Sequence, residues 1–590
     1  FCKYQVMSSS KHGVRASVAC NLCRGSKLKC LNNADSTRCQ RCASLNLECT
    51  YTLKTSQLKK RKLTQQFASK KAPRSSVFLP EKKLIIEASE IFFENQYKGI
   101  FPLFHKPSFF KFLKSPEFDP HTYIEDYDPH NTGTPDPVII LSILALCARL
   151  HPDLPKIYGD FDEADADLFY PSFNNILAPN AASNASKYFG WHARKHIRFD
   201  EPSIERVQAL CILSSHEWGE GNASRSFMYV GIASRMALIL GLNEEPKPEL
   251  GISDSENFIR MEMKRRAMWA VYMMDRCNSC GRSSHSCISL DQINVRLPCS
   301  EKEFIFGIGA NQPFRFGELK DLSLCGYQIV LFETWRDISR WVSLTGAKLE
   351  KTPPWEPESP YYQLSQKLDD FEENLPKDLV FNEFNIQAHI AGGSVTDYAY
   401  FSGLFLLCRT FLNREYFYSA PEASPPGWWK EQASVLFDTI DKLDQIPKIL
   451  KPLNLMVIAP FTGFHVFTTA ATGLYIAAYP KKVMKTHFSG EIIKKYQKIA
   501  VDNLETLSSW RDSWGLGHSW INTLSEMKEI FARSNDYDRF RFKMRDYGNI
   551  EKKPDIQNLL VLDESPTLDF MNNLDLTNIF PDWSGAMSSI

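Results

Sequence analysis

Histidine is missing where the cysteines of this 590-residue chain are densest: none lies between Cys20 and Cys49. That absence sets aside mononuclear fingers of the ring type, which use wider spacings and usually a histidine. Net charge is missing from the chain as a whole, with 69 Lys and Arg against 69 Asp and Glu. Attraction to a polyanion must therefore come from segregated charge. Phe1 to Ser10 hold no long apolar run behind basic residues, so no secretory signal is visible and a disulfide framework is not expected. Alternating strand patterns are lacking, as are a nucleophile–base pair, a phosphate-cradling glycine loop and an open metal site. The chain is therefore not read as an enzyme. Lys and Arg are absent after Pro554.

What is present is a repeat. Cys20, Cys23 and Cys30 form C-x2-C-x6-C, and Cys39, Cys42 and Cys49 repeat the pattern eight residues later. Structural zinc takes four ligands in a tetrahedron, most often thiolates. Six thiolates cannot fill two separate tetrahedra, which need eight ligand places. If two thiolates bridge both metals, the arithmetic closes. Each unit gives three ligands, and the first cysteine of the other unit supplies the fourth, which makes Cys20 and Cys39 the bridges. The expectation is a binuclear cluster holding two structural zinc ions.

The segment Ala19-Cys20-Asn21-Leu22-Cys23-Arg24-Gly25-Ser26-Lys27-Leu28-Lys29-Cys30, with Arg38-Cys39-Gln40-Arg41-Cys42 and Leu47-Glu48-Cys49-Thr50-Tyr51, resembles the fungal binuclear zinc-cluster transcription factors. The loop from Leu31 to Arg38 departs from the pattern by lacking the proline commonly found there. Charge distinguishes the two halves. Arg24, Lys27 and Lys29 lie between Cys23 and Cys30, whereas the corresponding stretch of the second half carries only Glu48. A short helix starting near Cys23 would present those cations to DNA, where phosphates take Lys and Arg and guanine offers O6 and N7. The resemblance implies that Lys27 contacts a CGG triplet. Arg24, Lys29, Arg38 and Arg41 are the further expected DNA-binding residues.

The basic character continues past the cluster. Sixteen Lys or Arg stand against Asp35 and Glu48 in residues 1–75, a formal excess of fourteen positive charges. Such segregation is an electrostatic footprint for nucleic acid. Lys59-Lys60-Arg61-Lys62 reads as a nuclear import signal or a phosphate-gripping arm. A zipper is not supported, because Leu53, Leu58, Leu63 and Phe67 step by five, five and four, and Pro73 and Pro80 interrupt a long helix. The cluster then acts as a monomer, or the large region behind it pairs.

From about Pro80 to Asp546 the patterns are helical, with helices over Ser224 to Leu240 (stopped by Gly241) and about Phe258 to Arg276. Proline clusters mark loops near Ser115 to Pro137, Thr352 to Pro360 and Ala420 to Pro426. Phe101-Pro102-Leu103-Phe104-His105-Lys106-Pro107-Ser108-Phe109 resembles the opening of the fungal-specific transcription factor domain. Tyr229-Val230-Gly231-Ile232-Ala233, Leu240-Gly241-Leu242, Glu262, Lys264-Arg265-Arg266, Trp269, Tyr272, Asp275-Arg276, Gly281-Arg282 and Leu297-Pro298 continue that resemblance. It implies a regulatory domain that holds activity in check or receives an inducer.

Three features invite sharper readings and receive plainer ones. Cys277, Cys280, His285 and Cys287 lack a second ligand pair at a typical distance and read as core or incidental thiols. Pro452 to Pro480 has no charged residue, but Pro460, Gly463 and Gly473 interrupt it, so a buried helix over Phe464 to Tyr479 is expected rather than a membrane span. Glu262, Arg265, Arg266 and Asp275 read as an internal salt-bridge network.

The tail carries Asp555, Asp563, Glu564, Asp569, Asp575 and Asp582 among apolar residues. Acidic–hydrophobic alternation is the composition of disordered activation segments that fold on a coactivator. Leu568, Phe570, Leu574, Leu576, Phe580 and Trp583 are the expected contacts.

The chain therefore reads as mainly α. Residues 1–18 form a basic arm, 19–52 the zinc cluster, 53–79 a flexible basic linker, 80–546 a large all-helical regulatory domain, and 547–590 a disordered acidic tail. The expected function is a nuclear, sequence-specific activator of RNA polymerase II genes. Its expected partners are double-stranded DNA, coactivators and, where the aromatic-rich middle encloses a pocket, a small-molecule inducer.

Overall fold

The computed structural model describes residues 20–26, 30, 38–47 and 49–50. It also describes 77–533 except 97–101, 130–133, 280–284, 310–321, 345, 419–420, 422, 454, 456–459, 479–489 and 512–513. Contacts divide the chain into two units, Phe1–Ser76 and Val77–Ile590. Among the described residues the regular elements are helices, and the one strand-like pairing is an isolated bridge between Glu244 and Asn294. The mainly helical reading therefore holds.

In the larger unit the helix Pro137–Cys147 is buried along all 11 residues. It reads apolar on every side, and such a helix belongs in the middle of a core. Asp136 caps it by accepting from the Val138 amide at 3.0 Å, and Pro137 occupies a first-turn position where a missing N–H costs nothing. Ala181–His196 and Ile204–Gly219 pack against it.

Ile204–Gly219 turns back through Gly221, at φ +82°, into Ala223–Ile239. The second of these is the helix expected over Ser224 to Leu240. Gly241, at φ +66°, ends it, while the Leu242 amide donates to the Ala237 carbonyl at 2.9 Å. The helix expected over Phe258 to Arg276 runs from Asp254 to Asn278, because Ser253 accepts from the Glu256 amide at 3.3 Å and starts it earlier.

The acid–base residues on that helix form two fastenings rather than one network. Glu262 holds Arg266 at 2.9 Å and Arg265 at 3.3 Å, and it accepts the Cys299 amide at 2.9 Å. Asp275, further along, pairs with Arg276 at 3.0 Å and accepts the Cys287 amide at 2.9 Å. Arg276 in turn reaches Glu333 at 2.6 Å on the helix Leu324–Ser343. The paired acids tie the helix to the chain beside it through the Cys299 and Cys287 amides, and Arg276 ties it to the helix Leu324–Ser343 through Glu333.

Val395–Tyr418, Trp428–Leu450, Pro460–Ala478 and Gly490–Trp510 build the C-terminal part of the same core. Pro460–Ala478 covers most of the stretch expected as a helix over Phe464 to Tyr479. It begins earlier because proline is tolerated in a first turn. Among the described residues no helix is long and apolar enough to cross a membrane. Close packing here depends on glycine: a Cβ on Gly473 would lie 2.8 Å from the Tyr496 carbonyl oxygen.

The last described helix, Gly515–Arg533, lies against Ile204–Gly219. Trp520 meets Trp218 and Phe467, each with ring centroids 6.0 Å apart. At its start the Arg149 guanidinium stacks 3.9 Å from the centre of the Trp514 ring. Arg149 also pairs with Glu220 at 2.6 Å and donates to His216 Nδ1 at 3.0 Å. Glu217 beside them takes Arg194 at 2.9 Å and Arg225 at 3.0 Å. A buried cluster of charge thus pins the end of the described chain to its middle.

Candidate metal centre and nucleic-acid interface

The smaller unit is built on two one-turn helices, Asn21–Gly25 and Gln40–Ser44, each preceded by a cysteine. The first starts two residues before the expected position at Cys23. Cys39, with extended backbone (φ −66°, ψ 152°), accepts the Cys42 amide on its sulfur at 3.4 Å. Cys20 accepts the Cys23 amide at 3.4 Å in the same way. Amide groups also bind the third cysteine of each half: Cys20 N–H to Cys30 Sγ at 3.4 Å and Cys39 N–H to Cys49 Sγ at 3.3 Å. The repeat in sequence is therefore a repeat in space.

Across the repeat, Cys20 Sγ lies 3.8 Å from Cys39 Sγ and 3.7 Å from Cys42 Sγ, and Cys23 Sγ lies 3.8 Å from Cys39 Sγ. A tetrahedron with Zn–S bonds of about 2.3 Å has edges of about 3.8 Å. The sulfurs therefore stand at metal-sharing distance. Cys20, Cys23, Cys39 and Cys42 are buried, with ligand atoms all within 4.8 Å of one another. The donor set, thiols only, fits zinc.

The electrostatics of the thiols follow the same division. The Cys42 amide, assisted by neighbouring thiols, lowers the Cys39 thiol to about 6. Burial raises the Cys20 thiol, but the Cys23 amide and the thiols around it outweigh that, so it too is lowered. Burial pushes Cys23 up to about 12 and raises Cys30 and Cys42. The thiolate is the ligand form, and the amide donors at Cys20 and Cys39 favour it there.

Two polar clasps close the unit, and neither was read from the sequence. Asn21 donates its backbone amide to the Thr50 carbonyl at 2.8 Å and its side-chain amide to Thr50 Oγ1 at 3.1 Å. Arg38 donates to the Leu47 carbonyl at 2.8 Å and to Asn46 Oδ1 at 3.2 Å, bracing the turn where Asn46 takes φ +50°. Arg41 is half-buried on the second short helix. The side chain of Arg24, and Lys27, Lys29, Lys59, Lys60, Arg61 and Lys62, lie outside the described residues. So do the tail residues Leu568, Phe570, Leu574, Leu576, Phe580 and Trp583.

The second cysteine group gathers no metal site among the described residues. Cys277 is buried in the helical core, Cys287 is half-buried with its amide on Asp275, and Cys280 lies outside the described residues.

Comparison with known proteins agrees with this geometry. Residues 18–58 match the fungal Zn(2)-Cys(6) binuclear cluster domain, and residues 90–372 match the fungal specific transcription factor domain. A Zn(2)-C6 fungal-type transcription factor FTF1c of Fusarium oxysporum f. sp. lycopersici is 23% identical over 471 residues, which is 75% of this chain and 45% of that protein. An uncharacterized transcriptional regulatory protein of Schizosaccharomyces pombe is 24% identical over 505 residues, 77% of this chain and 65% of that protein. The chain thus spans less than two thirds of the length of these curated relatives. A Zn(2)-Cys(6) domain carries two structural zinc ions, for which the clustered thiols provide the ligands. The family is one of transcription regulators and not of enzymes, and this chain belongs to it: a fungal Zn(2)-Cys(6) binuclear cluster protein with a fungal-specific transcription factor domain.

Proposed function

We propose that this chain is a nuclear, sequence-specific activator of RNA polymerase II genes that reads CGG-type triplets through its zinc cluster. The observation that carries the reading is a closed thiolate cluster set within a segment bearing fourteen excess positive charges. Thiolates fill every coordination place, so the metal shapes a reading head and does no chemistry. Cys20 and Cys39 would be the shared ligands of the two ions, since each stands 3.7–3.8 Å from both sulfurs of the opposite C-x2-C pair. Lys27 reads guanine, with Arg24 and Lys29 on phosphates beside it. Arg41 adds a backbone contact, and Arg38, already spent on the Asn46–Leu47 turn, positions the second half of the cluster while its charge favours the DNA.

Lys59, Lys60, Arg61 and Lys62 serve import and phosphate contact. The tail recruits coactivators through Leu568, Phe570, Leu574, Leu576, Phe580 and Trp583. The helical unit regulates, and a groove of about 690 Å³ lined by Arg276, Arg336 and Arg340 together with Asp291 and Glu333 offers room for a small-molecule inducer. Pairing, if the protein pairs, runs through the helical unit.

Site selection from random DNA with the full chain, with zinc and after chelation, tests the reading. Zinc-dependent enrichment of a CGG-type triplet is expected, and Lys27→Ala should cost about 1–3 kcal/mol and relax the preference at one base. Enrichment that persists after chelation, or none at all with the cluster folded, overturns it.

A further inference from the structure

The helical unit displays an unusual strip between Asp160 and Leu177. Leu168, Tyr170, Phe173, Ile176 and Leu177 are all exposed there, Ile176 at 83% and the least exposed, Leu177, at 50%. Soluble proteins show large apolar side chains singly on their surfaces, and a run of them marks an interaction site. The polar groups of the strip explain why they point outward. Asn174 donates its backbone amide to the Lys156 carbonyl at 2.8 Å and its side chain to Asp160 at 3.2 Å, and its own side-chain oxygen accepts the Ile176 amide at 3.0 Å. Phe169 packs against Phe161 at 5.5 Å, and Tyr170 against Phe78 at 5.6 Å. The backbone is thereby held in place, the Lys156 ammonium stands 5.8 Å from the centre of the Phe173 ring, and the remaining apolar groups stand in water.

The upstream half of the strip is acidic, with Asp160, Asp162, Glu163 and Asp165, and the sequence has no Lys or Arg from Ile157 to Ser186. Glu163 is partnered by Arg194 at 3.0 Å, and Asp162 caps the Ala164 amide at 2.9 Å, whereas Asp165 is exposed. An acidic run beside exposed Leu, Tyr, Phe and Ile repeats the composition of the tail, here on a folded surface.

We propose that the strip is a second coactivator-docking surface, whose occupant is a protein groove that is apolar on its floor and rimmed by Lys and Arg. The apolar side chains fill the floor and the acids meet the rim, so the charge complementarity also sets the orientation. A second copy of this chain is disfavoured as occupant, because its strip offers no Lys or Arg from Ile157 to Ser186 to meet the acids. The inference rests on the activator reading above.

The test uses the full chain and a recombinant coactivator domain with a Lys/Arg-rimmed apolar groove as the probe, read by fluorescence anisotropy. A tail variant carrying Leu568→Ala, Phe570→Ala, Phe580→Ala and Trp583→Ala should still bind the probe. Adding Phe173→Ser, Ile176→Ser and Leu177→Ser should weaken that binding by roughly tenfold, the effect expected when central anchors are lost. Asp165→Lys, which alters no packing, should weaken it and flatten its salt dependence. A circular-dichroism melt confirms that each variant is folded. Tail variants that lose the probe entirely, or strip variants that bind it unchanged, overturn the proposal. So does light scattering showing that the strip variants only abolish self-association. If the unaltered chain neither binds the probe nor drives a reporter, the activator reading falls instead.

Discussion

Cys30→Ala should silence DNA reading while leaving the helical unit standing, and the structure says why the two effects separate. Among the described residues of the smaller unit, the buried set is Cys20, Cys23, Cys30, Cys39 and Cys42, with Cys49 packed partly against them. Leu22, Leu45 and Leu47 remain 37, 55 and 37% exposed. A fully buried Leu or Val would supply roughly 1.5–3 kcal/mol, and no such side chain is buried here. Ordering the backbone costs roughly 1–2 kcal/mol per residue, so apolar burial cannot hold the unit. Metal can: structural zinc in small folds contributes on the order of 10–16 kcal/mol. Removing Cys30 takes one thiolate from a set in which six already serve eight places, leaving a metal short of a ligand. The expected outcome is a loss of more than roughly a hundredfold in affinity for a CGG probe, measured by anisotropy. The thermal midpoint of the helical unit should stay where it was, because its core is separate from the cysteines. A variant that binds its site within about threefold of the original, or whose helical unit melts earlier in step with the cluster, refutes the reasoning.

Acid should weaken the helical unit through His216. Burial, and then the neighbouring Arg149, lower this ring from 6.5 to about 4, so the folded state refuses a proton that the unfolded state accepts. Above pH 6.5 neither state is protonated and this group leaves stability unaffected; from 6.5 down to about 4 His216 should contribute a fall of about 1.4 kcal/mol per pH unit, and His192 and His465, which burial lowers to about 3, add like shares. His216→Gln should remove its share of the slope in urea titrations, and an unchanged slope would refute the assignment. Arg149→Ala leaves the buried Glu220 with the Lys187 contact at 3.3 Å and the Ser183 hydroxyl at 2.8 Å but without its closest cation, and should cost about 3 kcal/mol in the same assay. Gly463→Ala would place a Cβ 2.3 Å from the Trp520 ring. A cost of about 1–3 kcal/mol and a shifted tryptophan emission are expected, with no change in DNA affinity.

The metal centre was legible because its ligands are close in sequence and chemically distinctive: the spacing alone carries the repeat that Cys20 and Cys39 express in space. Helices with one wet face were legible too, and Ala223–Ile239 departs from its expected bounds by one residue at each end. Other elements gave no such signal. Val395–Tyr418 is buried on most sides, so its apolar residues show no period to read. Trp428–Leu450 carries Pro447 inside it, a residue that argues locally against helix. The Arg149–Glu220–His216 cluster joins residues some seventy positions apart, a separation at which charge leaves no local pattern. The Arg38 brace was hidden differently. An arginine beside a zinc cluster reads as a DNA contact until its hydrogen bonds to Asn46 and Leu47 are seen.

The placement of Gly515–Arg533 has a consequence in time. Trp218 and Phe467 are covered by Trp520, and Arg149 finds its stacking partner only in Trp514. A chain emerging from the ribosome makes Arg149 and Trp218 hundreds of residues before it makes the residues that cover them, at a pace of roughly 5–20 residues per second. For tens of seconds the nascent protein therefore carries an open seam at Trp218 and Arg149, which Phe467 joins only in the last few seconds. Chaperones have that interval to hold it, and a chain cut short before Trp514 yields a product that never closes.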